Sequence, residues 1–285
     1  FLIDCFVFFQ TFFSSQKKMS TTSTGSRLYE SSKAVDEYIQ MHYAPQDQLF
    51  PYDDQYAPSA GFQFVARTAT LCVESFDKFG EIREGETLSA LDVGCAVGGS
   101  SFELAKKFAT VDGFDFSEAF VKTAKKMQLE KKLTYSSLQF GETFEDRVVS
   151  LPESLNTEGI NFFWGDACSL SANENVSKKG YDVVHASNLL CRLPKPKQFL
   201  KDCGEWVVKP GGLLVLVSPY SWLEDYTAKE DWVMGLEGPF EALKAELSEK
   251  FELVDRKPFP FLIREHARKF QYGVSDATVW KKKCT

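Results

Sequence analysis

The sequence predicts a doubly wound α/β fold, with about seven mostly parallel strands and an N-terminal helical lid. Three observations predict it. From residue 88 onward, short apolar runs alternate with segments of helical period. The first run, Leu88 to Val93, opens directly into the small-residue turn Gly94-Cys95-Ala96-Val97-Gly98-Gly99-Ser100, as a strand feeding a helix does. The second, Thr110 to Phe114, stops at an acid, Asp115.

The elements follow in order. Residues 1–28 read as a flexible N-terminal extension, 29–80 as helices forming the lid, and 81–285 as the main domain with an insert at 133–158. Tyr29 to Tyr43 has the helical recurrence Val35, Tyr38, Ile39, His42. A Pro-, Asp- and Tyr-rich loop follows to Pro58, then a helix over Ala60 to Phe79. Ser100 to Phe108 is helical, Thr110 to Phe114 a strand, and Ser117 the N-cap of a helix to about Leu129. Leu133 to Thr157 breaks the alternation and reads as a hairpin or lid. Strands are expected at 160–164, 181–186, 213–217, 251–255 and 277–281, with helices at 196–208 and 240–250.

Composition narrows the function classes. With 44% hydrophobic and 26% charged residues, the 285-residue chain has ample core material. The net charge of −7 and pI near 5.2 leave no basic patch for phosphates, so nucleic acid is not expected as a partner. The lysine pairs Lys106–Lys107, Lys125–Lys126 and Lys131–Lys132 fall at helix ends, where the dipole favours them. Seven cysteines include no CxxC pair and the three histidines are scattered, which predicts a reduced, cytoplasmic chain without a metal. Phe1 to Phe13 is phenylalanine-rich but carries Asp4 and Gln10 and is too short to span a bilayer, so no membrane association is expected. Translation from Met19 would make the leading residues an upstream extension.

The chemistry sits in the turns that follow the strands. Gly94 permits a tight turn, and Ala96 and Gly98 let backbone approach a ligand, with Cys95 between them. The helix beyond offers N–H groups to an anion. By itself this also fits a degraded dinucleotide fingerprint. Asp92 tips the balance, because an acid two residues before the first glycine is common in methyltransferases, beside the methionine part of S-adenosylmethionine. Asp115 lies 21 residues after Gly94 and can accept both ribose hydroxyls of either cofactor, or be a surface turn residue. Phe116 can pack on adenine. In class I methyltransferases a motif like Gly165-Asp166-Ala167 places an acid near the adenine amino group and a small residue under the ring; taken alone it is also a simple strand-to-helix turn. Lys209-Pro210-Gly211-Gly212 is a turn found in the same class. Together these signals predict a class I methyltransferase, Rossmann-like sheet that binds S-adenosylmethionine and leaves S-adenosylhomocysteine. The strand end Ala186-Ser187-Asn188-Leu189-Leu190-Cys191-Arg192-Leu193-Pro194 lacks the Asn-Pro-Pro-aromatic motif of nucleic-acid methyltransferases, which points to a small-molecule substrate.

Longer motifs carry a resemblance. Ser218-Pro219-Tyr220-Ser221-Trp222-Leu223-Glu224-Asp225-Tyr226-Thr227, Phe261-Leu262-Ile263-Arg264-Glu265-His266-Ala267-Arg268-Lys269-Phe270-Gln271 and Val274-Ser275-Asp276-Ala277-Thr278-Val279-Trp280 resemble the 4-mercaptohistidine N1-methyltransferase family. Asn188 to Leu193 and Gly165 to Cys168 belong to the same likeness, which covers about Tyr29 to Lys282. Such domains usually end the ovothiol-biosynthesis enzyme 5-histidylcysteine sulfoxide synthase. The iron-dependent synthase part has no counterpart in these residues, so the chain would be a free-standing methyltransferase or one domain of a longer protein, associating with a separate synthase.

The resemblance implies methylation of an imidazole nitrogen of 5-thiohistidine, giving ovothiol A. Asn188 and Tyr220 are then the catalytic candidates. Tyr43, Arg67, Asp92, Gly94, Cys95, Ala96, Gly98, Asp115, Phe116, Asp166, Ala167 and Ser187 are expected around the cofactor. Arg192 and Arg264 are candidates for the substrate carboxylate, Glu265 and Asp225 for its ammonium, and Trp222 for a cap over the ring. Arg264 with Glu265 could instead be a structural ion pair, Trp222 core packing, and His185 a packed core histidine. A methyltransferase for another small molecule, a non-catalytic cofactor-binding module and a nicotinamide oxidoreductase are the competing readings.

Overall fold

The computed structural model describes residues 24–284. Expectations for residues 1–18 and Met19 lie outside them. The expected extension ends earlier than residue 28, because Thr24–Glu30 forms a 3-10 helix. Helices α1 (Ser32–Tyr43), α2 (Gln46–Leu49) and α3 (Phe64–Phe79) precede the sheet. Strand β1 (Ser89–Val93) leads to α4 (Gly99–Leu104), β2 (Thr110–Asp115) and α5 (Glu118–Glu130). Strands β3 (Lys132–Phe140) and β4 (Thr143–Ser150) pair only with each other. Then come β5 (Ile160–Trp164), β6 (Tyr181–Ser187), α6 (Pro196–Asp202), β7 (Val208–Ser218), α7 (Pro239–Leu247), β8 (Phe251–His266) and β9 (Lys269–Lys282).

The main sheet has seven strands in the order β5-β2-β1-β6-β7-β9-β8. Strands β5, β2, β1, β6 and β7 are parallel, and β9 joins β7 in antiparallel fashion. The alternation of side chains along each strand feeds two cores. On β7, Leu213, Val215 and Val217 face α3, α4 and α5 with Phe76, Phe102 and Ala124. Leu214 and Leu216 face α6 and α7 with Phe199, Leu243 and Trp280. Burial on both faces explains why the central strands read as continuous apolar runs. Because β1 pairs with β2 on one side and β6 on the other, the strand order reverses there and opens a crevice beyond the carboxyl ends.

Local sequence decides the helix starts. Ser31 and Ser117 each accept a backbone N–H three residues on, from Ala34 and Phe120, and so cap α1 and α5. The helix expected over 196–208 is α-helical only to Asp202 and finishes as a π-turn over Cys203–Val207. The largest difference from expectation is at the C-terminus. Strands β8 and β9 run far beyond 251–255 and 277–281 as a two-stranded arm past the end of β7, where Ser218 pairs with Asp276. Pro258 and Pro260 interrupt the β8 signal, and they are tolerated because β8 is the sheet edge, where a missing N–H breaks no outer ladder.

The insert is a hairpin, β3–β4. Its Ser137 hydroxyl donates to Gln40 Oε1 at 2.7 Å and Arg147 donates to the Gln48 carbonyl at 2.7 Å, so α1, α2 and the hairpin make one roof. Among the described residues no helix is long and apolar enough to cross a membrane, and no group of three His, Cys, Asp or Glu could hold a metal. Cys72, Cys95, Cys168, Cys191, Cys203 and Cys284 are unpaired thiols.

Candidate active site

The β1–α4 turn is shaped by three left-handed residues, Gly94 at φ +73°, Ala96 at +46° and Gly98 at +93°. Gly94 and Cys95 both donate their N–H groups to the Phe114 carbonyl, at 2.9 and 3.0 Å, which folds the turn against the end of β2. Gly98 does a different job from the close ligand approach expected of it. A Cβ there would sit 2.8 Å from Phe162 and 3.1 Å from Ala124, so its missing side chain lets the turn pack onto the core. The Cys95 side chain is fully buried, leaving only its backbone at the crevice.

Asp115 ends β2 beside this turn. One oxygen accepts the Ala96 N–H at 3.0 Å and the other the Ser117 N–H at 2.9 Å. A carboxylate offers about four lone-pair positions, so two remain, matching the two donors of a ribose diol. Burial pushes its carboxyl up to about 6, while the Ser117 and Ala96 N–H groups hold it down and Asp92 and Glu30 raise it further. Phe116 is 38% exposed and its ring lies 5.6 Å from that of Trp164, whose indole N–H donates to the Phe116 carbonyl at 2.8 Å. Asp166, two residues beyond the neighbouring β5, accepts the Cys168 N–H at 2.8 Å and is followed by the buried Ala167. These residues fit an adenosyl cofactor: a half-satisfied acid for the ribose, aromatic walls and a small residue for the base, and open turn backbone for the remainder.

Asp92 has another setting than the one expected beside the methionine group. It is 1% exposed, accepts the Ser100 and Ser101 hydroxyls at 2.6 Å each, and lies 2.8 Å from His185 Nδ1 on the adjacent strand. Burial raises its carboxyl, but His185 and the two serines outweigh that and hold it below the usual range. Asp92 therefore supports the turn from beneath, and His185 is the packed core histidine.

The lid docks on the same turn. The Tyr43 hydroxyl donates to the Val97 carbonyl at 2.5 Å. His42 Nδ1 accepts the Gly99 N–H at 3.0 Å, the group expected to be free for an anion. Burial lowers the His42 imidazole to about 4, which keeps it neutral and able to accept. Glu30 accepts the Glu118 and Ala119 N–H groups at 3.0 and 3.2 Å, fastening the start of the lid to α5. Tyr29 and Tyr38 meet at 6.0 Å near Asp115, and burial pushes both phenols up to about 12. None of His42, Tyr29, Tyr38 and Trp164 was singled out from sequence as a site residue; Tyr38 and His42 were legible only as the periodic face of a helix.

The other half of the edge lies at the ends of β6 and β7, beside the middle of β9. Asn188 and Tyr220, at the ends of β6 and β7, are both left-handed at φ +52°. Ser275 Oγ donates to Asn188 Oδ1 at 2.8 Å, and the Tyr220 hydroxyl donates to Asp276 Oδ2 at 3.0 Å. Arg256 Nε donates to both Asp276 oxygens, at 3.0 and 3.2 Å, and its guanidinium lies 3.4 Å from the Phe240 ring centre. Burial, then Asp276, drives the Tyr220 phenol far above its ordinary range. Ser187 Oγ and Trp222 Nε1 are buried polar atoms without a partner, and the Trp222 ring stacks on Trp232 at 6.3 Å. Arg192 donates to the Ser221 carbonyl at 2.6 Å and lies 4.8 Å from the Tyr226 ring centre. Asp225 is exposed on the loop after β7.

Three expected site residues are spent elsewhere. Arg67 donates to the Phe62 and Pro260 carbonyls and lies over Phe259, clamping α3 to β8. Arg264 is 2% exposed and donates to the Gln48 carbonyl and Gln139 Oε1, tying the arm to the roof. Glu265 pairs with Lys269 at 2.6 Å and accepts from Gln271 at 2.7 Å. Arg264 and Glu265 therefore do not pair with each other: the one is spent on Gln48 and Gln139, the other on Lys269 and Gln271.

Comparison with known proteins agrees with this geometry. Residues 91–214 match the family described as methyltransferase domain. The chain is 31% identical over 122 residues to ubiquinone biosynthesis O-methyltransferase of Pseudomonas savastanoi pv. phaseolicola, covering 43% of this chain and 40% of that one. It is 26% identical over 196 residues to malonyl-[acyl-carrier protein] O-methyltransferase of Halalkalibacterium halodurans, covering 60% and 62%. The chain thus spans less than two thirds of either relative's length. Among solved structures, magnesium protoporphyrin IX methyltransferase of Synechocystis PCC 6803, with bound S-adenosylmethionine, superposes with a TM-score of 0.56 at 16% identity over 94% of this chain and all of that one. The [4+2]-cyclase SpnF superposes with a TM-score of 0.56 at 16% identity, over 95% of this chain and all of that one. Residues 91–214 thus match a methyltransferase-domain family, and the chain shares the fold of a solved methyltransferase with bound S-adenosylmethionine.

Proposed function

We propose that this chain is an S-adenosylmethionine-dependent N-methyltransferase acting on the imidazole of 5-thiohistidine to give ovothiol A. One observation carries the reading. The segments that resemble the mercaptohistidine methyltransferases, at 188–193, 218–227 and 274–280, meet at one strand edge through Asn188–Ser275, Tyr220–Asp276 and Arg192–Ser221. That edge adjoins the turn and Asp115 across the β1–β6 switch point.

The cofactor, when bound, supplies an electrophilic sulfonium methyl. Asp115, Phe116, Asp166, Ala167 and the backbone of Gly94 to Ala96 would hold it, with Tyr43 and Ser187 at its borders. An imidazole lone pair needs little activation, so the protein's work is alignment and exclusion of water. Asn188 and Tyr220 touch the ring, Trp222 walls it, Arg192 takes the substrate carboxylate and the exposed Asp225 its ammonium. A cytoplasmic setting and a separate sulfoxide synthase as supplier belong to the same proposal.

A fold shared with a [4+2]-cyclase does not dictate methyl transfer, so binding and turnover are measured separately. Purified full chain is mixed with S-adenosylmethionine and 5-thiohistidine, with histidine as control, and products are weighed. A gain of one methyl on the thiolated substrate alone is expected. S-adenosylhomocysteine binding without that gain would reject the substrate and keep the cofactor. Binding of neither cofactor form would reject methyl transfer altogether.

A further inference from the structure

Two consecutive residues of β9 carry an inference that deepens this reading and rests on it. Asn188 and Tyr220 end adjacent parallel strands, and both hold a backbone conformation that L-residues seldom adopt. Each strained residue has its side chain fixed by one partner on β9. Ser275 is 1% exposed, and because Asn188 Oδ1 can only accept, the Ser275 hydroxyl must donate to it. Asn188 Oδ1 thereby takes one set direction, and the carboxamide turns its Nδ2 donors the other way. Asp276 acts on the neighbour in the opposite sense. Held from behind by Arg256 on Phe240, it takes the only proton Tyr220 can donate. The Tyr220 oxygen then has lone pairs alone for a ligand.

We propose that Ser275 and Asp276 are positioning residues that turn Asn188 into a donor and Tyr220 into an acceptor at the substrate. This pairing suits a heteroaromatic ring with an N–H beside an acceptor group, as in a mercaptoimidazole. Tyr220 holds the ring N–H, fixing the tautomer that leaves the other nitrogen's lone pair free. Asn188 meets the sulfur or another acceptor on the ring. Asn188 and Tyr220 touch the substrate; Ser275 and Asp276 act through them.

The test uses the full chain loaded with S-adenosylhomocysteine, whose unchanged affinity in every variant confirms an intact fold. With Tyr220 labelled at Cζ by carbon-13, Asp276→Ala should move the signal, and Asp276→Asn, which keeps an accepting oxygen, should leave it near wild type. An unmoved signal in Asp276→Ala overturns the Tyr220–Asp276 assignment without any substrate. Calorimetric affinity for 5-thiohistidine should fall about tenfold in Ser275→Ala and in Asp276→Ala, the effect of one lost orienting hydrogen bond. Asp276→Asn should recover most of it. The same changes should add little in Asn188→Ala and Tyr220→Phe backgrounds, respectively, because each pair acts as a unit. Additive losses overturn the proposal even if methyl is transferred. Coupled losses without methyl transfer keep the positioning pair and reject the reaction. If 5-thiohistidine does not bind at all, the substrate is rejected, and the carbon-13 signal alone decides Tyr220 and Asp276.

Discussion

The two halves of the strand edge are built in different ways. At the ends of β1, β2 and β5, the polar contacts are local and largely to backbone: Asp115 takes N–H groups from Ser117, two residues on, and from Ala96, 19 residues back. At the ends of β6 and β7, beside the middle of β9, they are made by side chains far apart in sequence, with Asn188–Ser275 separated by 87 positions and Tyr220–Asp276 by 56. A cofactor common to many proteins can be met by a turn whose shape is written in a dozen consecutive residues. A particular substrate needs donors and acceptors in a fixed pattern, and only packed strands can place them.

The comparison can be broken most directly at Asp115. Asp115→Ala should weaken S-adenosylhomocysteine about a hundredfold, since two charge-assisted hydrogen bonds are lost. Calorimetry checks this, and an unchanged affinity would remove the acid from the cofactor half. On the other half, Arg264→Met should lower stability by about 2 kcal/mol, because Gln139 loses its buried donor and the Gln48 carbonyl keeps only Arg147, while the KM for substrate stays the same. Arg192→Ala should do the reverse; a KM effect in Arg264→Met instead would return that guanidinium to the site. Gly98→Ala should cost about 1–2 kcal/mol through its left-handed φ and the crowding at Phe162. Thermal unfolding reads that loss, which should not come with a specific change in cofactor affinity.

pH sharpens the contrast further. Burial raises the Asp115 carboxyl from its ordinary 3.8 to about 6. Ribose hydroxyls donate to the ionised form, so S-adenosylhomocysteine should bind about tenfold more weakly at pH 5 than at pH 7. The effect on folding has the opposite sign. The native chain keeps a proton that the unfolded chain releases, so this group's contribution to stability falls as pH rises from 3.8 to about 6. His42 runs the other way. Its imidazole is lowered from 6.5 to about 4, so its contribution is present above 6.5 and is lost as pH falls toward 4. Titrating cofactor affinity and unfolding together separates the two, and a flat affinity profile would contradict the Asp115 role. The smallest effect is expected at Phe116→Ala, about threefold on cofactor affinity, since the ring is exposed on one side and Trp164 remains beside it.

Much of the cofactor half was legible because its signals are contiguous. Gly94, Ala96 and Asp115 read correctly as a turn and a strand-end acid, and Ser117 as a helix cap. Asp92 read as a ligand contact because sequence shows its spacing but not its direction, and only packing reveals Ser100, Ser101 and His185 around it. The arginines misled for a related reason. Arg67 and Arg264 have the right chemistry for a carboxylate, but carbonyls of Pro260 and Gln48, unreadable as partners from sequence, claim them first. Ser275 and Asp276 were visible within a distinctive motif, yet nothing in that motif tells which strand end they reach.

By itself, then, the sequence determined the alternation of strands and helices, the cofactor turn and the kind of cofactor it suits, since each depends on residues close together along the chain. The tertiary structure alone decided the length of the β8–β9 arm, the docking of His42 and Tyr43 on the turn, and the pairing of Asn188 and Tyr220 with β9. Those outcomes depend on which distant segments become neighbours. That is settled by burying two continuous cores and satisfying the polar groups trapped between them, a condition met by the whole chain at once and by no segment alone.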